Sequence, residues 1–201
     1  MRKILAVILA LAILLGSFPA IAEDEAIAAQ EKVSQLAEFG VSIFDGKNPE
    51  DYVSRIELCQ ALYELEGSPD MSRYTFSVFA DVEGECIAAI DYMFITGVVN
   101  GFGNGKFCPY DNLRNMDAIK MLVFYLGYKM DILGRGGYPD GCFSIAEQLE
   151  LLPDDMDMNA PVTYSQLLEM LYKALDTPTL VLGCFGPPQY GPTIREKLQE
   201  R

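Results

Sequence analysis

Three segments of this chain share one form: an extended apolar position, a short polar or hydroxyl stretch, an acid or amide, then an apolar helix pattern. They are VSRIELCQALYELEG (53–67), LRNMDAIKMLVFYLG (113–127) and VTYSQLLEMLYKALD (162–176). A recurrence of this kind limits the architecture before any single motif does, because repeated units bury a core only by packing on one another. Aligned on Glu57, Asp117 and Gln166, the segments keep register through Leu58/Ala118/Leu167, Cys59/Ile119/Leu168, Ala61/Met121/Met170 and Leu62/Leu122/Leu171. Apolar residues at these offsets form one face of a helix. Ser54 and Thr163 stand three residues before Glu57 and Gln166, the spacing of a capping box. Gly67 and Gly127 fall where such helices stop. The middle segment is apolar from Ala118 through Leu126 except at Lys120, which predicts a central helix.

A second helical pattern precedes each capped helix and leads into a Gly, Asn, Asp or Pro turn: residues from Gln30 to Tyr52, from Cys86 to Asn112, and from Phe143 to Pro161. Each unit therefore reads as helix, loop, helix, giving units at 23–68, 75–128 and 137–178. Polar connectors at 68–75 and 128–141 separate them. The proline-rich end, 179–201, has no place in the pattern and reads as a tail.

The first 22 residues read as an export signal. Met1-Arg2-Lys3 is a charged start, ILAVILALAILL an apolar run of 12, and Ala20-Ile21-Ala22 a cleavage pattern. Twelve apolar residues fall short of the roughly 20 that a membrane helix needs, so no membrane association is expected after cleavage. Loss of Arg2 and Lys3 leaves 13 basic against 29 acidic side chains, a charge of −16. Such a surface repels nucleic acid and anionic lipid, and any anionic ligand has to be held by a few placed cations. The absence of histidine removes Ser-His, Cys-His and most zinc-hydrolase chemistry. Five cysteines, at 59, 86, 108, 142 and 184, contain no CxxC pair and read mainly as small apolar fillers or free thiols, with room for one disulfide.

The stretch GVVNGFGNGKFCPYDN (97–112) suggests a phosphate loop at first sight. Lys106 is followed by Phe107 and position 100 is Asn, so the Walker pattern lacks both its hydroxyl and its first glycine. Gly101, Gly103 and Gly105 alternate and run into Pro109, which does not fit a dinucleotide fingerprint, and no nucleotide is expected. The glycines supply positive φ for a tight turn. A backbone without Cβ at Gly101 also lets a sugar ring approach, with Asn100, Asn104 and Lys106 as hydrogen-bond donors. Asp155, Asp157 and Asn159 match the first positions of a calcium loop. Ala160 and Gln166 stand where that loop needs Gly and Glu, so neither a metal nor a cofactor is expected. Phe124, Tyr125, Tyr128, Tyr63 and Tyr172 read as core, with Tyr164 as the aromatic to test for a ligand-facing position.

The middle unit, FADVEGECIAAIDYMFITGVVNGFGNGKFCPYDNLRNMDAIKML (79–122), resembles the S-layer homology module, which runs from F-x-D-V through G-[IV]-[IV]-N-G and D-G-x-F-x-P to a T-R-A-E helix start. VSRIE and VTYSQ are the corresponding starts in the first and third units, and the resemblance spans roughly residues 30 to 180, specific in the second unit and diffuse in the others. It implies a mainly α fold, a pseudo-threefold array of three helix-loop-helix modules sharing a central helix bundle. It also implies non-covalent anchoring of an exported protein to a pyruvylated secondary cell-wall polysaccharide, in the cell wall or S-layer of a Gram-positive-type bacterium. Other wall or S-layer proteins are further partners it allows.

Carried over by position, the resemblance assigns ligand binding to Arg55 in the first unit, and to Arg114, Asn100, Gly101, Asn104 and Lys106 in the second. Arg55 sits at the family arginine; Asn115, with Arg114 beside it, and Tyr164 occupy that place elsewhere. A guanidinium at position 55 suits a bidentate pair with a pyruvate ketal carboxylate, or else a salt bridge to Glu57 or Asp51. With no tryptophan and one arginine of three, the chain keeps ligand chemistry in at most one or two grooves. A structural or protein-interaction role with glycan binding lost is the alternative. Glycosidase chemistry needs two acids facing across a cleft, and the units offer no such pair, so no enzyme is expected.

Overall fold

The computed structural model describes residues 23–154, 156–181 and 187–201. The segment read as an export signal (1–22), Asp155 and Cys184 lie outside the described residues. The fold is mainly α.

Three helices carry the repeated segments: α2 (Arg55–Leu65), α4 (Asn115–Tyr125) and α6 (Tyr164–Leu175). Each follows an outer helix: α1 (23–38), α3 (Cys86–Ile95) and α5 (Asp140–Gln148). The expected caps form at two of the three. The Glu57 carboxylate accepts the Ser54 backbone N–H at 2.8 Å and its hydroxyl at 2.7 Å. Thr163 N–H donates to Gln166 at 3.1 Å, and Gln166 N–H donates back at 3.3 Å. The start of α4 has no such cap, because Arg114 stands at its N-cap.

The outer helices all end alike. The N–H groups of Val41, Val98 and Leu151 reach back to the carbonyls of Leu36, Met93 and Ala146 at 3.0, 2.8 and 2.9 Å. The residue before each is left-handed: Gly40 (φ 89°), Gly97 (φ 80°) and Glu150 (φ 56°). This is the helix stop that tucks the next apolar side chain under the last turn, and Val41, Val98 and Leu151 are buried.

The starts of α2, α4 and α6 are tied together by backbone. Val53 N–H donates to Val162 O at 3.0 Å, Val162 N–H to Leu113 O at 2.8 Å, and Leu113 N–H to Val53 O at 2.8 Å, which closes a ring. Around it, Arg55, Asn115 and Tyr164 donate to the carbonyls of Asp111, Ala160 and Asp51, each at 3.0 Å. These bonds satisfy N–H groups that a helix start leaves without an intrahelical partner. Val53, Leu113 and Val162 are fully buried at the ring's centre.

The segment from Pro178, outside the repeat pattern, packs on the rest of the fold. Strands β1 (Pro178–Val181) and β2 (Gln189–Thr193) pair antiparallel and lead into α7 (Ile194–Gln199). They close the end of the core opposite the ring. Leu180 N–H caps Leu126 O at 2.8 Å beyond α4. Arg201 donates to Leu65 O at 2.9 Å at the end of α2. Arg195 holds Asp176, just past α6, at 2.6 and 2.9 Å. Cations and donors at these ends complement the carbonyls that a helix terminus leaves free.

The connector after α4 is also ordered, as a 3-10 segment over Tyr128–Arg135. No helix among the described residues is long and apolar enough to cross a membrane. Cys59, Cys86, Cys108 and Cys142 are free thiols, and burial pushes the Cys59 thiol up to about 12.

Candidate functional site

The Phe79-Ala80-Asp81-Val82 opening of the second unit clamps the glycine loop. Asp81 accepts the N–H groups of Phe107 and Cys108, each at 2.8 Å, and Ala80 N–H reaches Gly105 O at 2.9 Å. Burial alone would raise the Asp81 carboxyl, but the hydrogen bonds from the Phe107 and Cys108 backbone outweigh it and hold the group below its ordinary value.

Within the loop the glycines are not equivalent. Gly101 (φ 66°) has no room for a side chain: a Cβ there would lie 2.4 Å from the Phe79 ring and 2.7 Å from Lys106 O. Gly103 and Gly105 are left-handed but open to space. Gly101→Ala is therefore expected to cost about 3 kcal/mol or more, against about 1–2 kcal/mol for Gly103→Ala. Denaturant unfolding of the two variants checks this, and equal losses would contradict the packing described.

Beside the loop, a cavity of about 210 Å³ is lined by Arg55, Asn100, Gly101, Arg114, Asp117 and Lys120, with Val99, Phe102, Met121 and Tyr138. Four of the six sequence-assigned residues, Arg55, Asn100, Gly101 and Arg114, thus converge on one space. Asn104 and Lys106 do not line it. The Asn104 side chain accepts the Lys106 N–H at 3.1 Å and closes the turn, and Lys106 is exposed.

Arg55 is 7 % exposed. Its Nε donates to Phe107 O at 3.0 Å, and its guanidinium carbon lies 4.5 Å from the centre of the Phe102 ring and 4.6 Å from that of Phe107. Its ionic partner is Asp117 of α4, at 3.8 Å, and not Glu57 or Asp51 as the sequence suggested. Glu57 is already engaged by Ser54, Lys47 and Tyr164.

The missing cap on α4 explains why Asp117 is available. At α2 and α6 the residue three past the cap turns back on the helix start; at α4 the same position faces the cavity. Asp117 accepts both Nε and a terminal nitrogen of Arg114 at 3.0 Å, and the Tyr138 hydroxyl at 3.1 Å. Lys120, one turn along α4, lies over the rings of Phe124 and Tyr138 at 5.4 and 5.7 Å. Burial draws its ammonium below the ordinary lysine range, against the opposing pull of Asp117.

Sequence reading missed Asp117, Lys120 and Tyr138 as site residues. The one signal for Lys120 was its isolation as the single polar residue in the apolar run from Ala118 to Leu126. Tyr138 comes from a connector and had none.

The positions matching Arg55 in the other units are held by Tyr164 and Asn115. Tyr164 is 4 % exposed, its hydroxyl bonds to Glu57, Lys47 stands 5.1 Å over its ring, and it lines a separate cavity of about 390 Å³ with Phe44, Gly46 and Lys47. Lys47 follows Gly46 as Phe102 follows Gly101, and both glycines have φ 66°. The stacked cation and ring of the cavity thus recur here with the two roles exchanged. Asn115 is 1 % exposed and donates to Asp157 O at 2.8 Å.

Fold and site define a mainly α protein with a small cavity in which Arg55, Arg114 and Lys120 surround the Asp117 carboxylate. No family model matches the chain, and no curated protein matches it.

Proposed function

We propose that the chain is a non-catalytic wall-binding protein of the S-layer homology kind. In this reading three helix-loop-helix modules surround a pseudo-threefold axis, and one groove holds an anionic group of a pyruvylated secondary cell-wall polysaccharide. The observation that carries the reading is the convergence of Arg55, Arg114 and Lys120 in one cavity with Asn100 and Gly101, in a chain whose formal charge is −14. The vacant Cβ position of Gly101 is filled by the Phe79 ring and so is not the approach for a ligand. A cavity of about 210 Å³ suits one compact sugar substituent. It is smaller than the roughly 300–1,000 Å³ of clefts that take drug-sized ligands.

The repeat-related hydrogen bonds around Val53, Leu113 and Val162, and the common ending of the outer helices, support the module reading. The internal use of Tyr164 and Asn115 favours a structural role at those two positions, so binding rests on one groove. Association with the wall follows from local attraction, in keeping with an exported protein that joins other wall or S-layer proteins.

Purified chain should sediment with isolated walls of a pyruvylated type, and pelleting should fall when the pyruvate is removed and when salt is raised from about 0.1 to 1 M, where screening shortens to about 3 Å. Equal pelleting with treated and untreated walls would refute the glycan reading and leave the structural alternative.

A further inference from the structure

We infer that a second cavity, between the last turns of α2, α3 and α4, is an aromatic cage for a compact trimethylammonium cation such as choline. It shares no lining residue with the cavity beside the glycine loop and takes a ligand of the opposite charge, so either can bind without the other.

The cavity measures about 160 Å³, and its lining includes Glu66, Tyr92, Met93, Thr96, Phe124 and Tyr125. Glu66 caps the end of α2, Tyr92 and Met93 lie near the end of α3 with Thr96 just past it, and Phe124 and Tyr125 end α4. The negative ends of three helix dipoles thus add to one carboxylate. Glu66 spends its Oε1 on the Tyr125 hydroxyl, which donates to it at 2.8 Å. Burial, and then the Glu66 charge, hold the Tyr125 phenol far above its ordinary value, so it stays a donor. The Glu66 Oε2 accepts no hydrogen bond among the described residues. Its partner is Arg201, 3.8 Å away, too long for a hydrogen bond. Arg201 is 44 % exposed, so this pair is weak and an arriving cation can replace it.

The lining selects among cations. Phe124 already carries Lys120 and Lys129, at 5.4 and 5.3 Å from its ring centre. No cation of the described residues stacks on Tyr92 or Tyr125, which leaves two rings for a ligand. A primary ammonium brings three N–H donors that need acceptors. Lys129 finds one in Gly97 O at 3.1 Å, but the side chains of this cavity offer one open carboxylate oxygen. The Thr96 hydroxyl turns its proton to the carbonyls of Tyr92 and Met93, at 2.9 and 3.3 Å. A trimethylammonium has no N–H to satisfy. Its charge is spread over methyl groups that pack on the rings and on Met93, while its attraction to Glu66 needs proximity and no hydrogen bond. The volume suits that group and excludes larger organic cations. Thr96 is exposed, so the cavity meets solvent, and a chain of charge −14 draws cations toward it.

The test is titration of the full chain, labelled at its methionine methyl groups, with choline chloride, followed by nuclear magnetic resonance. The Met93 methyl signal should move and saturate. The neutral carbon isostere of choline, with a tert-butyl group in place of the trimethylammonium, should bind at least tenfold more weakly, and ammonium chloride at the same concentration should leave the signal in place. Glu66→Gln, which keeps an acceptor for Tyr125, should lose the preference for choline over its isostere. Tyr92→Phe keeps the ring and should bind choline within twofold of wild type, whereas Tyr92→Leu should lose at least tenfold. Phosphocholine identifies the source: affinity equal to that of choline points to an esterified group on a larger molecule, and binding of choline alone to the free cation. A Met93 signal that choline moves no more than its isostere does would overturn the inference, as would a Glu66→Gln chain that binds choline like wild type, or equal affinities in the two Tyr92 variants.

Discussion

Gly127→Ala is expected to lower stability by about 3–5 kcal/mol, a loss of roughly 6–20 °C in melting temperature for a chain of this size. Two effects combine. Gly127 has φ 92°, a conformation that costs an L side chain about 1–2 kcal/mol. A Cβ at this place would also lie 2.1 Å from Leu180 O, so β1 must move and the Leu180 N–H bond to Leu126 O is lost. Gly134→Ala is the control, since Gly134 has no positive φ and no atom near its missing Cβ; it should change stability by no more than about 0.5 kcal/mol. In a chain ending at Thr177 the Gly127→Ala penalty should shrink to the backbone part alone. Thermal melts of the five proteins (wild type, Gly127→Ala, Gly134→Ala, the chain ending at Thr177 and its Gly127→Ala variant) decide the matter, and a penalty unchanged by truncation would contradict the packing of β1 on the end of α4.

Arg55→Ala should be nearly as damaging and should act on stability and binding together. The substitution removes a charged hydrogen bond worth about 1.5–3 kcal/mol and two cation–ring contacts of about 0.5–2 kcal/mol each. It also leaves a void between Phe102 and Phe107, which in turn frees the loop that presents Asn100 and Gly101. A loss of about 3–5 kcal/mol is expected, with weaker wall sedimentation. Arg55→Lys should not rescue it, because an ammonium lacks the planar face that sits between two rings. Chemical denaturation measures the first effect, and a variant that keeps wild-type stability but loses binding would contradict a positioning role.

Much of the core was legible because the information is local. Ser54 with Glu57, and Thr163 with Gln166, announce helix starts by spacing alone, and Gly67 and Gly127 announce stops. The absence of a capping partner at Arg114 was equally visible, yet its consequence was not. Freeing Asp117 matters because, besides its neighbour Arg114 at i,i+3, Arg55 and Tyr138 reach it from two other parts of the chain. Spacing within one segment carries no trace of such a meeting. Asn104 and Lys106 failed as cavity residues for a related reason: polar side chains in a turn satisfy the turn first, as Asn104 does with the Lys106 N–H. The end from Pro178 was illegible because it belongs to no repeat. Its partners are the carbonyl ends of α2 and α4 and the acid past α6, which no pattern within 178–201 could name.

The closed circle of backbone bonds among Val53, Leu113 and Val162 has a consequence for how the chain comes to fold. A linear stack of repeats can begin ordering anywhere and lengthen by neighbours, with its two end units specialised to face water. A circle has no end units. Its first partner cannot be completed until its last has been synthesised, since Val53 waits for Val162. Contacts between residues so far apart in sequence slow the search. Deleting any one third of this protein thus leaves not two-thirds of a structure but two open edges that have lost their closure.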